Sequence, residues 1–228
     1  WVRTRWTRPL EVGVVELATR SAKVPPGDRL DQGLVELEEA LTRELHRYRG
    51  GPAPFKLTRL GPVRLDALPP LPPSGASAVE RAQYTSSLQA LAPTISEQTG
   101  QNLRRFDLLL YLRLEDDGDA EQRFVEGAGA AGGDFGMVQT SLNDRASVLT
   151  LVAIGHELLH CVGATDKYDA QGHAEGVGGL ADPSLGLNQK QAEIMVGEIP
   201  TGAASGRLPT SLSEVAVGAT TAAEIHWR

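Results

Sequence analysis

The side chains able to do chemistry are concentrated in IGHELLHCVGATDKYDA, positions 154 to 170, which brings His156, Glu157, His160 and Asp166 into a few turns of backbone. If the first part is helical, His156 and His160 project from one face one turn apart, a spacing that suits two imidazoles on one Zn2+. Glu157 sits beside them, where a carboxylate can take a proton from a metal-activated water and pass it to a leaving amine. Gly163 follows His160 by three residues and is where the helix would end and the chain reverse. Three residues further, Asp166 can swing back to offer a third ligand oxygen, with Glu193 or Glu175 the next candidates for that place. Two histidines and one carboxylate leave a fourth position open to water, the arrangement of a catalytic rather than a structural zinc. The competing reading is a core helix that ends at a glycine, its histidines satisfied locally. His-Glu-x-x-His alone arises by chance in roughly one chain in a hundred of this length. The glycine and the aspartate at their offsets are what favour the metal.

The elements that must position this stretch can be read along the chain. In PLEVGVVELA, Leu10, Val12 and Val14 fall on one face and Val15 and Leu17 on the other, the pattern of a strand buried on both sides. From Leu30 to Tyr48, Leu30, Leu34, Leu37, Leu41 and Leu45 recur at steps of three and four, and Gly50-Gly51 stops an amphipathic helix. PFKLTRLG is a second strand, ALPPLPPSG an extended connector, and a helix is expected from about Ala78 to Leu91. RRFDLLLYLRLE is the strongest strand signal and MVQTSL a further strand. Asn143 or Asp144 is expected to cap a helix from about Arg145 to Val162 that carries the histidines.

Two polar segments between these elements attract a ligand reading and lose it. The acidic turn EDDGDAEQ, from Glu115, could hold a Ca2+ ion but lacks the ligand spacing of a helix-loop-helix calcium site, so a solvated turn is favoured. GAGAAGGDFG lacks the Gly-Lys-Ser/Thr ending of a phosphate loop.

With 228 residues, 41% hydrophobic and 22% charged, the chain can bury a substantial core as one domain. A net charge of -7 argues against a phosphate-backbone partner, so nucleic acid is not expected. The single cysteine, Cys161, excludes an internal disulfide and reads as a small buried thiol turned off the metal face. No run of eighteen apolar residues spans a bilayer. The opening WVRTRW resembles the water-side border of a membrane helix as much as an ordinary terminus, so a membrane anchor upstream of residue 1 is one expectation. His173 and Glu175 are read as solvated loop residues, and His46 and His226 as structural.

HELLHCVGATD resembles the extended zinc signature of the metzincin metallopeptidases, with Asp166 where most of them carry a third histidine. In this it is similar to the snapalysins, small secreted bacterial proteases, which also place a tyrosine two residues after the aspartate, as Tyr168 does here. Metzincins have a methionine in a tight turn beneath the metal, and AEIMVGEIP supplies Met195. RWTRPLEV, HELLHCVGATDKYD, AEIMVGEIP and TAAEIHW are also similar to uncharacterised bacterial proteins with a membrane helix before the first tryptophan.

The resemblance implies an α/β (α+β) zincin-like fold over 1–228. Residues 1–163 would hold a twisted mixed sheet with the histidine helix, and 164–228 a loop-rich subdomain with the Met-turn. FGMVQTS would be the edge strand lining the cleft. It implies a monomeric zinc endopeptidase, secreted or membrane-anchored outside the cytoplasm, acting on protein or peptide substrates. Its ligands would be His156, His160 and Asp166, with Glu157 as base and then acid, and with Tyr168 helping to hold the oxyanion. Two other readings stay open, a zinc-dependent hydrolase of a non-peptide amide and a non-catalytic zinc-containing binding module.

Overall fold

The computed structural model describes residues 5–71, 76–115, 135–202 and 204–228. The acidic turn read as a calcium candidate and most of the glycine-rich segment lie outside the described residues. The elements run β1 (Leu10–Thr19), α1 (Asp28–Tyr48), β2 (Phe55–Leu65), α2 (Ala78–Gln89), α3 (Ala92–Thr99), β3 (Leu108–Glu115), β4 (Phe135–Ser141) and α4 (Val148–Cys161). After α4 the elements are short: β5 (Ala192–Glu193), β6 (Ile199–Gly202), β7 (Ser205–Arg207), β8 (Val215–Ala216) and α5 (Ala219–Glu224).

The first four strands form one sheet in the order β2-β1-β3-β4, every neighbouring pair parallel. The α/β class expected from the sequence is therefore what is observed. Over the described residues, however, the sheet is wholly parallel rather than mixed. Parallel strands need long crossovers; α1 connects β1 to β2, and α2 and α3 lie between β2 and β3. One face carries Leu10, Val12, Val14, Leu110, Leu112 and Val138 and packs with α1 and α4. The other carries Val15, Leu17, Leu60, Tyr111 and Met137 and packs with Tyr84 and Leu88 of α2 and Ile95 of α3. The two-faced reading of β1 is thus borne out residue by residue. FGMVQTS is β4, the edge of the described sheet next to β3.

α1 buries the five leucines at the expected steps, each contributing roughly 1.5–3 kcal/mol by its removal from water. Gly33 of α1 faces Leu151 of α4, where an added Cβ would sit 2.9 Å from Leu151 Cδ1, so the two helices meet at a glycine. α4 is apolar on most of its surface because it lies between α1, the sheet and the segments after Gly163. Leu151, Val152, Ile154, Leu158 and Leu159 are all in the core. No helix among the described residues is long and apolar enough to cross a membrane.

The start of α4 corrects the sequence reading. Its cap is Ser147, whose side chain accepts from Thr150 N at 3.2 Å, and the helix begins at Val148. Asp144 contributes through its carbonyl, which accepts from Ser147 N and from Thr150 Oγ1, both at 2.8 Å. Arg145, expected inside the helix, instead turns into the protein. It donates to Glu16 Oε1 at 2.6 Å, and Glu16, on β1, is fully buried and also receives Arg59 at 3.0 Å. The remaining Arg145 nitrogen reaches the carbonyls of Pro25 and Pro26. Removing one member of a buried pair leaves a charge without its partner, at a cost of several kcal/mol. Arg145→Ala is expected to destabilise by about 3 kcal/mol, lowering the melting temperature by roughly 6–12 °C for a chain of this size. A melt within 2 °C of wild type would mean that Glu16 does not depend on Arg145.

Candidate metal centre

Gly163, with a φ of 110°, ends α4. Its N–H donates to His160 O at 3.0 Å and Ala164 N donates to Leu159 O at 2.9 Å, the paired bonds of a Schellman turn. The turn folds the chain back over the last helical residues. It sets Ala164 O 2.8 Å from His160 Nδ1 and brings Asp166 in front of the histidines. The carbonyl for the other ring comes from elsewhere in the chain, since His156 Nδ1 lies 3.1 Å from Ile194 O. Gly155 makes this second approach possible, because Ile194 Cδ1 is 2.9 Å from where a Cβ on Gly155 would be.

A carbonyl only accepts, so both Nδ1 atoms carry the ring proton and both Nε2 atoms present lone pairs. These nitrogens lie 3.2 Å (His156) and 3.0 Å (His160) from the same oxygen, Asp166 Oδ1. Three electron-rich atoms held this close repel unless a positive charge lies among them. Two ligand atoms about 2.1 Å from a tetrahedral zinc stand about 3.4 Å apart, close to the spacing found. Against the opposing effect of burial, the adjoining imidazoles of His156 and His160 hold the Asp166 carboxyl well below the usual range. Burial lowers the His160 imidazole, but Asp166 and Ala164 outweigh it and raise it.

Glu157 is buried beside this cluster, and its ligand atoms and those of His156 and His160 lie within 4.8 Å of one another. Of the two carboxylates, Asp166 is the one with a single oxygen, Oδ1, within 3.2 Å of His156 Nε2 and 3.0 Å of His160 Nε2. Glu157 Oε2 has no hydrogen-bond partner among the described residues. Burial pushes its carboxyl up, an effect that His156 and His160 oppose. The carboxylate packs against β4, where a Cβ on Gly136 would lie 3.0 Å from Glu157 Cβ and 3.4 Å from Oε2.

Of the remaining sequence candidates, Tyr168 is partly exposed and its ring stacks at 25° on that of His156 with centroids 6.4 Å apart. Met195 is fully buried in a turn from Glu193 to Gly197, where Val196 and Gly197 N–H both donate to Glu193 O at 2.9 Å. Cys161 is a buried thiol in the core, as expected. His173 corrects its reading as solvated, since its Nδ1 pairs with Glu198 at 2.8 Å and is only partly exposed. The two alternative third ligands do not join the cluster. Glu175 is exposed, and Glu193 is fully buried with its oxygens occupied away from the histidines, accepting from Met195 N, Gly218 N and Thr221 Oγ1. Sequence reasoning missed Lys167 and Glu224, whose bond joins residues 57 positions apart with no local signal to announce it.

No family model and no curated protein sequence matches the chain. Among solved structures it is similar to archaemetzincin from Methanopyrus kandleri, at 21% identity over 72% of this chain and 78% of that one, with a TM-score of 0.34.

The close approach of Gly136 to Glu157 makes the strand sensitive to one added methyl. Gly136→Ala must push β4 and α4 apart, because the new methyl meets a Cβ rather than a flexible side-chain end. The expected cost is about 1–3 kcal/mol in urea unfolding. A change under about 0.5 kcal/mol, the range of a surface substitution, would show that strand and helix part freely there.

Proposed function

We propose that the chain is a zinc-dependent endopeptidase of the metzincin type, with His156, His160 and Asp166 holding the ion and Glu157 acting as general base. The observation that carries this reading is the convergence of His156 Nε2, His160 Nε2 and Asp166 Oδ1, with both ring protons committed to carbonyls. When bound, zinc supplies Lewis-acid polarisation of a carbonyl and a lowered pKa for a ligated water.

Glu157 has the features of a proton carrier. It is held dry by β4 and α4, its proton affinity is raised by burial, and Oε2 is free to accept from a water entering between it and the histidines. It would take that water's proton and deliver it to the departing amine nitrogen. A buried carboxylate oxygen without a partner costs about 1–3 kcal/mol, a penalty with no structural return. This favours a hydrolase over a binding module that merely retains zinc. Tyr168, exposed and stacked on the His156 ring, is the residue proposed to donate to an oxygen that gains charge during attack. A peptide is the favoured amide because β4, the edge of the sheet among the described residues, lies beside Glu157 and is the strand an extended backbone would pair with.

Three measurements test the reading. Protein purified without chelator should carry one zinc per chain, and Asp166→Ala should lose most of it. Full retention would remove Asp166 from the ligand set. Glu157→Gln keeps size and hydrogen bonding, so it should keep fold and zinc while peptide hydrolysis falls by at least about a hundredfold. Equal turnover at equal zinc content would exclude Glu157 as the base. Cleavage of a small non-peptide amide but of no peptide in a mixed library would replace the endopeptidase reading with that of an amide hydrolase.

A further inference from the structure

The groups that hold the histidines come from two separate loops, and each is tied to α5. Around Asp166, Thr165 N and Thr165 Oγ1 each donate to Glu224 at 3.0 Å. Lys167 Nζ donates to both oxygens of the same carboxylate at 2.9 and 2.8 Å. The residues on either side of Asp166 thus hang on one side chain of α5, and the Lys167 side chain is only 7% exposed. Around Ile194, the buried Glu193 spans the other gap. One of its oxygens accepts from Met195 N, and the other accepts from Thr221 Oγ1 at 2.7 Å and from Gly218 N at 3.1 Å. Lys167 N donates to Met195 O at 3.2 Å and joins the two loops.

Thr221 and Glu224 are three residues apart, which puts them on one side of the short helix. α5 is itself held on its far sides. Ala222, Ile225 and Trp227 are buried in the main core, Val217 N donates to Glu44 of α1 at 2.8 Å, and Trp6 Nε1 donates to Ile225 O at 2.7 Å. The helix therefore has fixed backing against which both loops can be braced.

We propose that Thr221 and Glu224 are positioning residues of the metal centre, setting its affinity through the Asp166 loop and the Ile194 carbonyl without touching the metal. The inference rests on the proposed zinc site. Glu224 fixes Thr165 and Lys167, so Asp166 faces the histidines before any ion arrives. Thr221 fixes Glu193, which holds the turn whose Ile194 carbonyl keeps the His156 proton on Nδ1. Groups hydrogen-bonded directly to a ligand commonly change metal affinity by about 10- to 100-fold, and since Thr221 and Glu224 act one step further out, the lower end of that range is expected.

The test uses Thr221→Val, Glu224→Gln and Glu224→Ala in the full chain. Zinc affinity is read by competition with a chromogenic chelator, ligand geometry by the visible absorption of bound Co2+, and stability by melting the chelated protein. Thr221→Val is isosteric, and Glu224→Gln keeps an acceptor for Thr165, so both should fold even if Glu224→Ala does not. The expected result is a zinc dissociation constant raised about 10-fold and an altered Co2+ spectrum in Thr221→Val, with a smaller change in the same direction in Glu224→Gln. Melting losses alone, with affinity and spectrum as in wild type, would reduce both residues to general scaffolding and overturn the proposal. If wild type itself binds no zinc, the metal reading falls and takes this one with it. Binding by wild type with unchanged variants sinks this inference alone.

Discussion

Everything at the centre of this molecule depends on where two protons are kept. Each imidazole of the His156 and His160 pair gives its Nδ1 hydrogen to a backbone carbonyl, so each is obliged to present a bare Nε2 to the same carboxylate oxygen. Carbonyls are well suited to this because, unlike a side chain, they cannot titrate or reverse the direction of the bond. The cost is geometric. Ala164 O is supplied locally by the turn at Gly163, but Ile194 O must be delivered from a segment more than thirty residues on. Most of the chain beyond α4 can be understood as the means of delivering it.

The surrounding protein trades stability for chemistry at a few identifiable points. A glycine on β4 lets strand and helix close around Glu157, which excludes water from a carboxylate that has no partner for one oxygen among the described residues. A glycine on α4 lets the Ile194 side chain approach just before the first histidine. The buried charges elsewhere are treated differently. Glu16 is neutralised by Arg145 and Arg59, and Glu193 receives three donors. Among the described residues Glu157 is the exception, and that contrast, more than burial itself, supports the role proposed for it.

Much of this was legible in the sequence wherever a periodic pattern meets a single environment. The leucines of α1 and the two faces of β1 are set by burial alone and appear where their spacing puts them. Gly163 was legible because a left-handed residue after a helix has few alternatives to glycine. The start of α4 was not, since Asn143, Asp144 and Ser147 are all competent caps and only the inward turn of Arg145 toward Glu16 decides among them. The partners of Glu193, Lys167 and Glu224 were invisible for another reason: each side chain reaches residues tens of positions away, and nothing in local composition announces it. The same holds for His173, whose partner Glu198 lies on another loop.

The bond from Trp6 to Ile225 spans nearly the whole described chain, and the bond from Thr165 to Glu224 spans 59 residues. Contacts of such long separation close late, because loop entropy must be overcome before they contribute anything. The histidines are translated well before the helix that braces their surroundings. A growing chain on the ribosome therefore carries His156 and His160 for some time without the scaffold that aligns them, and their arrangement is completed only when residues 219–224 have emerged and docked.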